Sequence, residues 1–127
     1  MNFLALLLIL KIGLSLALLV RPFMMAPTKA LNNVMSLYGD NPLIYRLYSI
    51  AILSLCVAYG FGLYEALSGR MPWNVIAFGI VSNAGAALAL TALNSHPKLR
   101  PFEATFATIA AALVLCALAP NYALMSI

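Results

Sequence analysis

The sequence is poor in charge. Of its 127 residues, seven are Lys or Arg and three are Asp or Glu, so 8% are charged while 65% are hydrophobic. Soluble domains carry about 25% charged and roughly 45–50% apolar residues. These few charged side chains cannot cover a water-soluble surface for a chain of this length. The excess apolar surface therefore faces lipid, and the sequence predicts an integral membrane protein with the lipid bilayer as its main partner.

Residues that bind metals or carry out catalysis are also scarce. His96 is the only histidine, which excludes a haem held by two histidines. The three acidic residues, Asp40, Glu65 and Glu103, are scattered, and the two cysteines lie in separate apolar runs without metal-ligand or disulfide spacing. We therefore predict no metal and no cofactor. The sequence assigns no catalytic residue and leaves enzymatic activity undecided, favouring a protein without it.

The basic residues do not indicate nucleic acid binding. The formal net charge is +4, but the basic side chains sit singly beside apolar runs, where they orient helices in a membrane. We predict no nucleic-acid partner.

Long apolar runs are the dominant feature. A membrane-spanning helix needs about 20 apolar residues. Proline is found near the ends of helices, where its ring destabilises the helix least. The four runs lie at residues 3–23, 43–67, 73–93 and 102–118, and each has such a proline signal. The sequence therefore predicts a single all-α domain over residues 1–127, a polytopic membrane four-helix bundle.

The one long connection joins the first and second runs. Within it, Ala30, Leu31, Val34, Met35 and Tyr38 recur at helical spacing, with polar residues on the other side. This pattern predicts a short amphipathic helix that lies in the membrane interface or folds back against the bundle. An ordered loop with one helical turn is the alternative.

The distribution of Lys and Arg predicts the orientation. Cytoplasmic loops are enriched in these residues. One side of the predicted bundle has Arg70 alone, and the other has a larger set: Arg21, Lys29, Arg46, Lys98 and Arg100. We therefore expect a cell inner membrane protein with the first and third connections in the cytoplasm and both termini outside it.

Lys11 interrupts the first apolar run. It lies ~12 Å along the helix from Phe3, inside a hydrocarbon core about 30 Å thick, where a lysine costs ~2.5–3.5 kcal/mol. Side chains lean toward the N-terminus of their own helix, so Lys11 and Glu65 lean toward each other from antiparallel helices. We predict a Lys11–Glu65 ion pair or a water-bridged contact. The alternatives are snorkelling of Lys11 to the outer surface and a role in transport or catalysis.

Other polar and small residues in the runs point to helix packing. Ser82 and Asn83 lie midway along the third run, and Asn83 can hydrogen-bond across a helix interface. The fourth run has small residues at four-residue spacing: Ala104, Thr108 and Ala112, or Ala107 and Ala111. We favour packing of these stripes within the bundle over a face that binds a partner.

Arg46 begins the second run and can reach the lipid head groups. It either anchors the helix on the positive side of the membrane or binds an anionic lipid or a lipophilic head group.

The order of these features resembles the DoxX-like group of small four-helix bacterial membrane proteins. The resemblance lies in a first helix ending at "LLVRPFM", an amphipathic "ALNNVMSLYG", and "NPLIYRLYSIAILSLCVAYGFGLYEAL" with its early arginine and later glycines. Some members of that group are membrane subunits of quinone-linked oxidoreductases. The resemblance implies a four-helix bundle and a head-group contact for Arg46.

Three functions remain open from the sequence. The favoured one is a non-catalytic accessory or anchoring subunit of a larger membrane complex, bound to other membrane subunits or to further copies of itself. The second is a membrane-embedded oxidoreductase subunit or enzyme acting on a lipophilic, quinone-like substrate. The third is an oligomeric small transporter that uses Lys11 and Glu65.

Overall fold

A computed structural model describes residues 1–35, 37, 39–93 and 97–127 of the chain, and its regular elements are helices apart from one isolated bridge. The helices are α1 (Phe3–Ser15), α2 (Arg21–Met25), α3 (Thr28–Met35), α4 (Leu43–Leu67), α5 (Trp73–Leu93), α6 (Arg100–Leu118) and α7 (Pro120–Ala123). A π-helical segment, Leu16–Val20, joins α1 to α2, and a 3₁₀ turn, Pro97–Leu99, precedes α6.

Four of the helices in the described part of the chain are long and apolar enough to cross a membrane. We call them the first to fourth spans: Phe3–Met25, Leu43–Leu67, Trp73–Leu93 and Pro97–Leu118. The prediction of an all-α four-helix membrane bundle is therefore confirmed, with span ends close to those predicted. The chain is a small multi-pass membrane protein.

The spans form two antiparallel hairpins. The first span packs along the second, and the third packs along the fourth. Asn2 Nδ2 donates to the Ala66 carbonyl at 2.6 Å, which places the start of the first span beside the end of the second. At the same end of the bundle, the Ile127 amide donates to the Met1 carbonyl at 3.0 Å. We call this the terminal end and the opposite one, where α3 lies, the loop end.

The second and third spans touch at the terminal end and separate toward the loop end. A Cβ atom built on Gly62 would lie 2.7 Å from Val75 Cγ1, so the two helices meet there with no space for a side chain. A Cβ built on Gly85 would meet no atom within 4 Å. The small residue at position 62 thus permits close helix contact in lipid, where packing replaces the hydrophobic effect as the driving force.

Buried side chains form two clusters that follow this division. The cluster toward the terminal end includes Leu4, Tyr59, Ile76 and Leu113 among its members. The cluster toward the loop end is more aromatic: it contains Leu19, Phe23, Leu31, Tyr45, Ile52, Cys56 and Phe106.

The first span is not a continuous α-helix, which the apolar pattern did not predict. Its residues Leu16–Val20 are π-helical, and Ser49 Oγ of the second span donates to the Val20 carbonyl at 2.8 Å. Hydrogen bonding from a neighbouring helix satisfies backbone that a wider turn exposes in lipid. Single π turns occur often at functional sites, and this one lies in the half of the span nearest the loop end.

The connection between the first two spans contains the predicted amphipathic helix. α3 buries Leu31 and lies against the bundle, and Tyr45 of the second span donates a hydrogen bond from its hydroxyl to Asn32 Oδ1. Lys98 Nζ donates to Asn33 Oδ1 at 3.3 Å, which joins α3 to the connection before the fourth span. Tyr38, the last position of the predicted apolar face, lies outside the described residues.

Candidate functional site

The gap between the hairpins at the loop end forms a large cavity. Its volume is about 540 Å³, within the range of about 300–1,000 Å³ typical of small-molecule sites. The walls come from all four spans and α3: Leu19, Phe23, Met35, Leu37, Ile44, Tyr45, Tyr48, Ala51, Ile52, Leu55, Ser82, Gly85, Ala86, Ala89, Leu90, Phe102 and Phe106. Nearly all of these side chains are hydrocarbon or aromatic, so the cavity is suited to an apolar molecule.

Few polar groups reach this cavity, and two of them are already engaged. The Tyr45 hydroxyl donates to Asn32, which also fixes α3 over the loop end of the cavity. The Ser82 hydroxyl lies 3.2 Å from the Tyr59 hydroxyl. The Phe23 ring packs against Tyr45 and Tyr48, with ring centroids 5.7 and 5.6 Å away. The large cavity is therefore an aromatic and aliphatic space with a few hydroxyl groups in its wall.

Lys11 is buried next to a chain of hydrogen bonds that crosses the bundle. Its side chain is 7% exposed, and Nζ donates to Asn83 Oδ1 of the third span at 2.7 Å. Asn83 Nδ2 donates to the Gly79 carbonyl at 2.7 Å and approaches the Tyr59 hydroxyl of the second span at 3.4 Å. This chain connects three spans, and it uses both polar residues, Asn83 and Ser82, that the sequence marked for helix packing.

The Lys11 ammonium is also close to two aromatic rings. Nζ lies 5.3 Å from the centroid of Phe106 and 6.0 Å from that of Tyr59. Cations within about 6 Å of a ring face are attracted by its quadrupole, more strongly in a desolvated site. The lysine is thus held by an amide and by aromatic faces.

The structure brings Lys11 to Asn83, whereas Glu65 lies elsewhere. The hydrogen bond from Asn2 to the Ala66 carbonyl sets Glu65 near the start of the first span. Lys11 is nine residues further along that span, about two and a half turns away. Side-chain direction brings these two groups closer, but it does not span that separation. No hydrogen bond between them occurs among the described residues.

The other two acidic residues also lie away from this lysine. Glu103 accepts a hydrogen bond from the exposed Thr91 at 2.8 Å, and Asp40 is exposed in the connection before α4. Within the described ranges, no group of three His, Cys, Asp or Glu side chains is arranged to hold a metal ion.

A second, smaller cavity adjoins Lys11 between the first and fourth spans. Its volume is about 140 Å³, and its walls are Lys11, Leu14, Ser15, Leu18, Leu19, Pro101, Phe102, Thr105, Phe106 and Ile109. Leu19, Phe102 and Phe106 line both cavities. A single layer of apolar side chains therefore separates the small cavity, with its ammonium, from the large cavity.

Arg46 caps the end of the first span. Its Nη1 donates to the Phe23 carbonyl and its Nη2 to the Ala26 carbonyl at 3.1 Å. A cation at the C-terminus of a helix satisfies unpaired carbonyls and interacts favourably with the helix dipole. The half-buried guanidinium thus ties the second span to the first, and a head-group contact of this residue stays a prediction.

Most small residues of the two predicted stripes in the fourth span face outward. Ala104, Ala107, Thr108 and Ala111 are exposed, and Ala112 is half-buried. The opposite side of this helix packs inward, where a Cβ on Gly79 would lie 2.6 Å from Leu113 Cδ1. The interpretation that these stripes pack within the bundle is therefore wrong for the exposed positions, because the register of the third and fourth spans directs Leu113 inward instead.

The sequence contained a partial signal for the large cavity. Gly85, Ala86 and Ala89 give the third span small side chains along one stretch, and Ala51 lies on the second. Small residues on facing helices either bring the helices together or leave space, and only the separation of the hairpins shows that space is left here.

Comparison of the chain with protein-family models, with curated proteins and with solved structures finds no match.

Proposed function

We propose that this membrane protein binds a lipophilic molecule in the large cavity between its second and third spans. The observation that carries the proposal is the cavity itself, about 540 Å³ with walls that are almost entirely apolar. Ligand sites are typically concave and mostly apolar, with few polar groups. This function corresponds to the lipophilic-substrate alternative from the sequence, restricted to binding.

The entrance favours a ligand that comes from the bilayer. Ile44 and Tyr48 line the cavity and are 67% and 38% exposed, on a surface that faces lipid when the spans cross a membrane. A molecule dissolved in the acyl chains reaches the cavity without passing through water. The ligand class is therefore a hydrocarbon chain or ring system with few polar groups, such as a quinone or a long-chain alcohol.

Filling the cavity tests this function. Gly85 lines the cavity and a Cβ there meets nothing within 4 Å, so Gly85→Leu places a side chain in the space without a clash at its first atom. Gly60 is equally open, is exposed and lies outside the cavity, so Gly60→Leu is the matched control. Binding of decylubiquinone and oleyl alcohol to the protein purified in non-ionic detergent is measured for each variant.

We expect the wild type and Gly60→Leu to bind at least one probe, and Gly85→Leu to bind it at least about tenfold more weakly. If neither probe binds, or if both glycine variants bind as the wild type does, the proposal is rejected. Circular dichroism and gel filtration of all three proteins separate a filled cavity from a misfolded chain.

A second candidate function is that of an accessory subunit, which the exposed face of the fourth span favours. Ala104, Ala107, Thr108 and Ala111 allow close approach of another membrane helix. We propose that this face contacts a partner helix in a larger complex. Bulky substitution at Ala107 and Ala111 should reduce the size of the complex on native gels after mild extraction, whereas Ala77→Leu on the exposed face of the third span should not. An unchanged size in the double variant contradicts this role.

We propose the orientation that the basic residues favour, with the loop end in the cytoplasm and both termini outside it. The loop end carries five of the seven basic residues: Arg21, Lys29, Arg46, Lys98 and Arg100. Reporter tags at the two termini should both report the non-cytoplasmic side of an inner membrane. Cytoplasmic signals from both tags would reverse the orientation, and signals from opposite sides would contradict a bundle with four spans.

A further inference from the structure

The Lys11 ammonium is a buried charge whose hydrogen-bond partner is neutral. Its side chain is more than nine-tenths buried, yet its partner in the described chain is the amide oxygen of Asn83. An ammonium has three donors, and Asn83 accepts one. A cation inside the hydrocarbon region costs free energy, and such residues usually pair with another polar or charged group or mark a functional site. Lys11 has donors left for a further acceptor, and one with negative charge would also compensate the buried ammonium.

The small cavity provides space for such an acceptor beside the lysine. Lys11 lines this cavity of about 140 Å³ together with the Ser15 and Thr105 side chains. The volume exceeds several-fold the ~30 Å³ that one water molecule occupies in the liquid. A carboxylate and its first methylene groups have room there. Thr105 donates its hydroxyl to the Pro101 carbonyl at 2.7 Å, so the lysine is the charged donor in this wall.

The route from the ammonium to the large cavity passes one apolar layer. Phe106 lines both cavities, and its ring centroid lies 5.3 Å from Lys11 Nζ. A ligand whose polar group meets Lys11 can place its hydrocarbon part in the large cavity once this side chain rotates. Leu19 of the π-helical segment belongs to the same layer. The position of the wall between the two cavities therefore depends on the irregular turn of the first span.

We infer that Lys11 is the binding residue for the carboxylate of a lipophilic carboxylic acid, with its hydrocarbon chain in the large cavity. The inference rests on the proposed function for the position of the chain, and it adds the head group. Lys11 lies ~12 Å along its helix from Phe3, so the head group must leave the membrane surface to reach it. A single carboxylate in a small cavity meets that condition better than the larger head group of a phospholipid.

The test compares an acid with its alcohol. Oleate and oleyl alcohol share one hydrocarbon chain and differ in the group that meets Lys11. Binding of each is measured with the purified full-length chain in non-ionic detergent, for the wild type, Lys11→Met and Lys11→Gln. Met removes the charge and keeps the length of the side chain, while Gln removes the charge and keeps a donor for Asn83. Lys29→Met, on the exposed side of α3, removes a cation elsewhere and is the control.

We expect the wild type to bind oleate more tightly than oleyl alcohol, and both Lys11 variants to lose that preference by roughly 10- to 100-fold. Lys29→Met should keep it. The preference is a ratio within one protein, so partial loss of folded protein changes both probes equally. If Lys11→Met does not fold, Lys11→Gln gives the same comparison.

Several outcomes overturn the inference. Equal affinity of the wild type for oleate and oleyl alcohol would mean that the amine does not bind the carboxylate. If Lys29→Met loses the preference for oleate to the same degree, the preference comes from the net positive charge of the protein and not from Lys11. Displacement of oleate by equal concentrations of dioleoyl phosphatidic acid would assign the site to a phospholipid head group. If the wild type has no preference for oleate, or if both Lys11 variants keep that preference, while binding of oleyl alcohol still depends on Gly85, the proposed function stands and this inference fails. If oleate, oleyl alcohol and decylubiquinone all fail to bind, both fail.

Discussion

At the terminal end of the bundle the second and third spans touch at Gly62 and Val75, whereas at the loop end about 540 Å³ of apolar space separates them. Helices in lipid associate through close packing and hydrogen bonds between them. The terminal end has both, including the Asn2 to Ala66 hydrogen bond. At the loop end, Arg46 and Ser49 join the first two spans, and α3 contacts the second hairpin through the hydrogen bond from Lys98 to Asn33. One bundle thus combines a closed half that sets the fold with an open half that is available for a ligand.

The largest predicted effect comes from the polar contact between the two hairpins. Asn83→Leu removes the acceptor of Lys11 and leaves a buried ammonium without it, which should lower the free energy of unfolding by about 3 kcal/mol. The measurement is unfolding by SDS titration in mixed micelles. The double variant Lys11→Met with Asn83→Leu should lose less than the sum of the single changes. Strict additivity would show that these residues do not interact.

A glycine at the closed end should be intolerant of any side chain. Gly62→Ala places a Cβ 2.7 Å from Val75 Cγ1, and such overpacking should reduce the free energy of unfolding by about 2 kcal/mol. Val75→Ala in the same chain removes the two methyl groups but keeps the Val75 Cβ, which lies 2.9 Å from the added atom, so it should restore only part of the loss. A variant as stable as the wild type would contradict the close approach of the second and third spans.

The caps at the open end should have a smaller effect. Arg46→Ala removes the guanidinium from the Phe23 and Ala26 carbonyls. Because the group is only half-buried, we expect a loss of about 1 kcal/mol. Arg46→Lys retains the charge but not the two-pronged geometry, so it should recover part of the loss. If Arg46 serves only as a positive-side anchor, the lysine variant will be fully as stable as the wild type.

The smallest effect should have the opposite sign. Gly85→Ala at the open end adds a Cβ that meets nothing within 4 Å, and it should raise the free energy of unfolding by about 0.5–1 kcal/mol through higher helix propensity. The same substitution therefore destabilises at position 62 and stabilises at position 85. Destabilisation at both positions in the SDS titration would contradict the separation of the hairpins at the loop end.

Much of the architecture was predictable because it depends on local properties. The spans are long apolar runs with proline near their ends, and the Thr28–Met35 helix has an apolar face. The partner of Lys11 was harder to predict, because the direction in which a side chain leans along its own helix does not fix the axial register between two helices. Asn83 was recognised as a packing residue, but its contact with Lys11 depends on how the two hairpins align.

The π-helical turn and the two cavities were not predictable from the pattern. Leu16–Val20 has the composition of any apolar helix, and its wider turn is paired with Ser49 of another span. The outward direction of Ala107 and Ala111 depends on which face of the fourth span meets the third. These features all depend on the positions of side chains that are far apart in the chain.

The sequence by itself determined that this protein is a bundle of four membrane-spanning helices, because the shortage of charge and the length of the apolar runs permit no other way to satisfy the backbone in lipid. Only the tertiary structure decided that Lys11 meets Asn83 and that the hairpins separate around a cavity. The reason is that helix register and splay follow from a few contacts, such as Gly62 against Val75, whose effect appears only when distant segments are packed together.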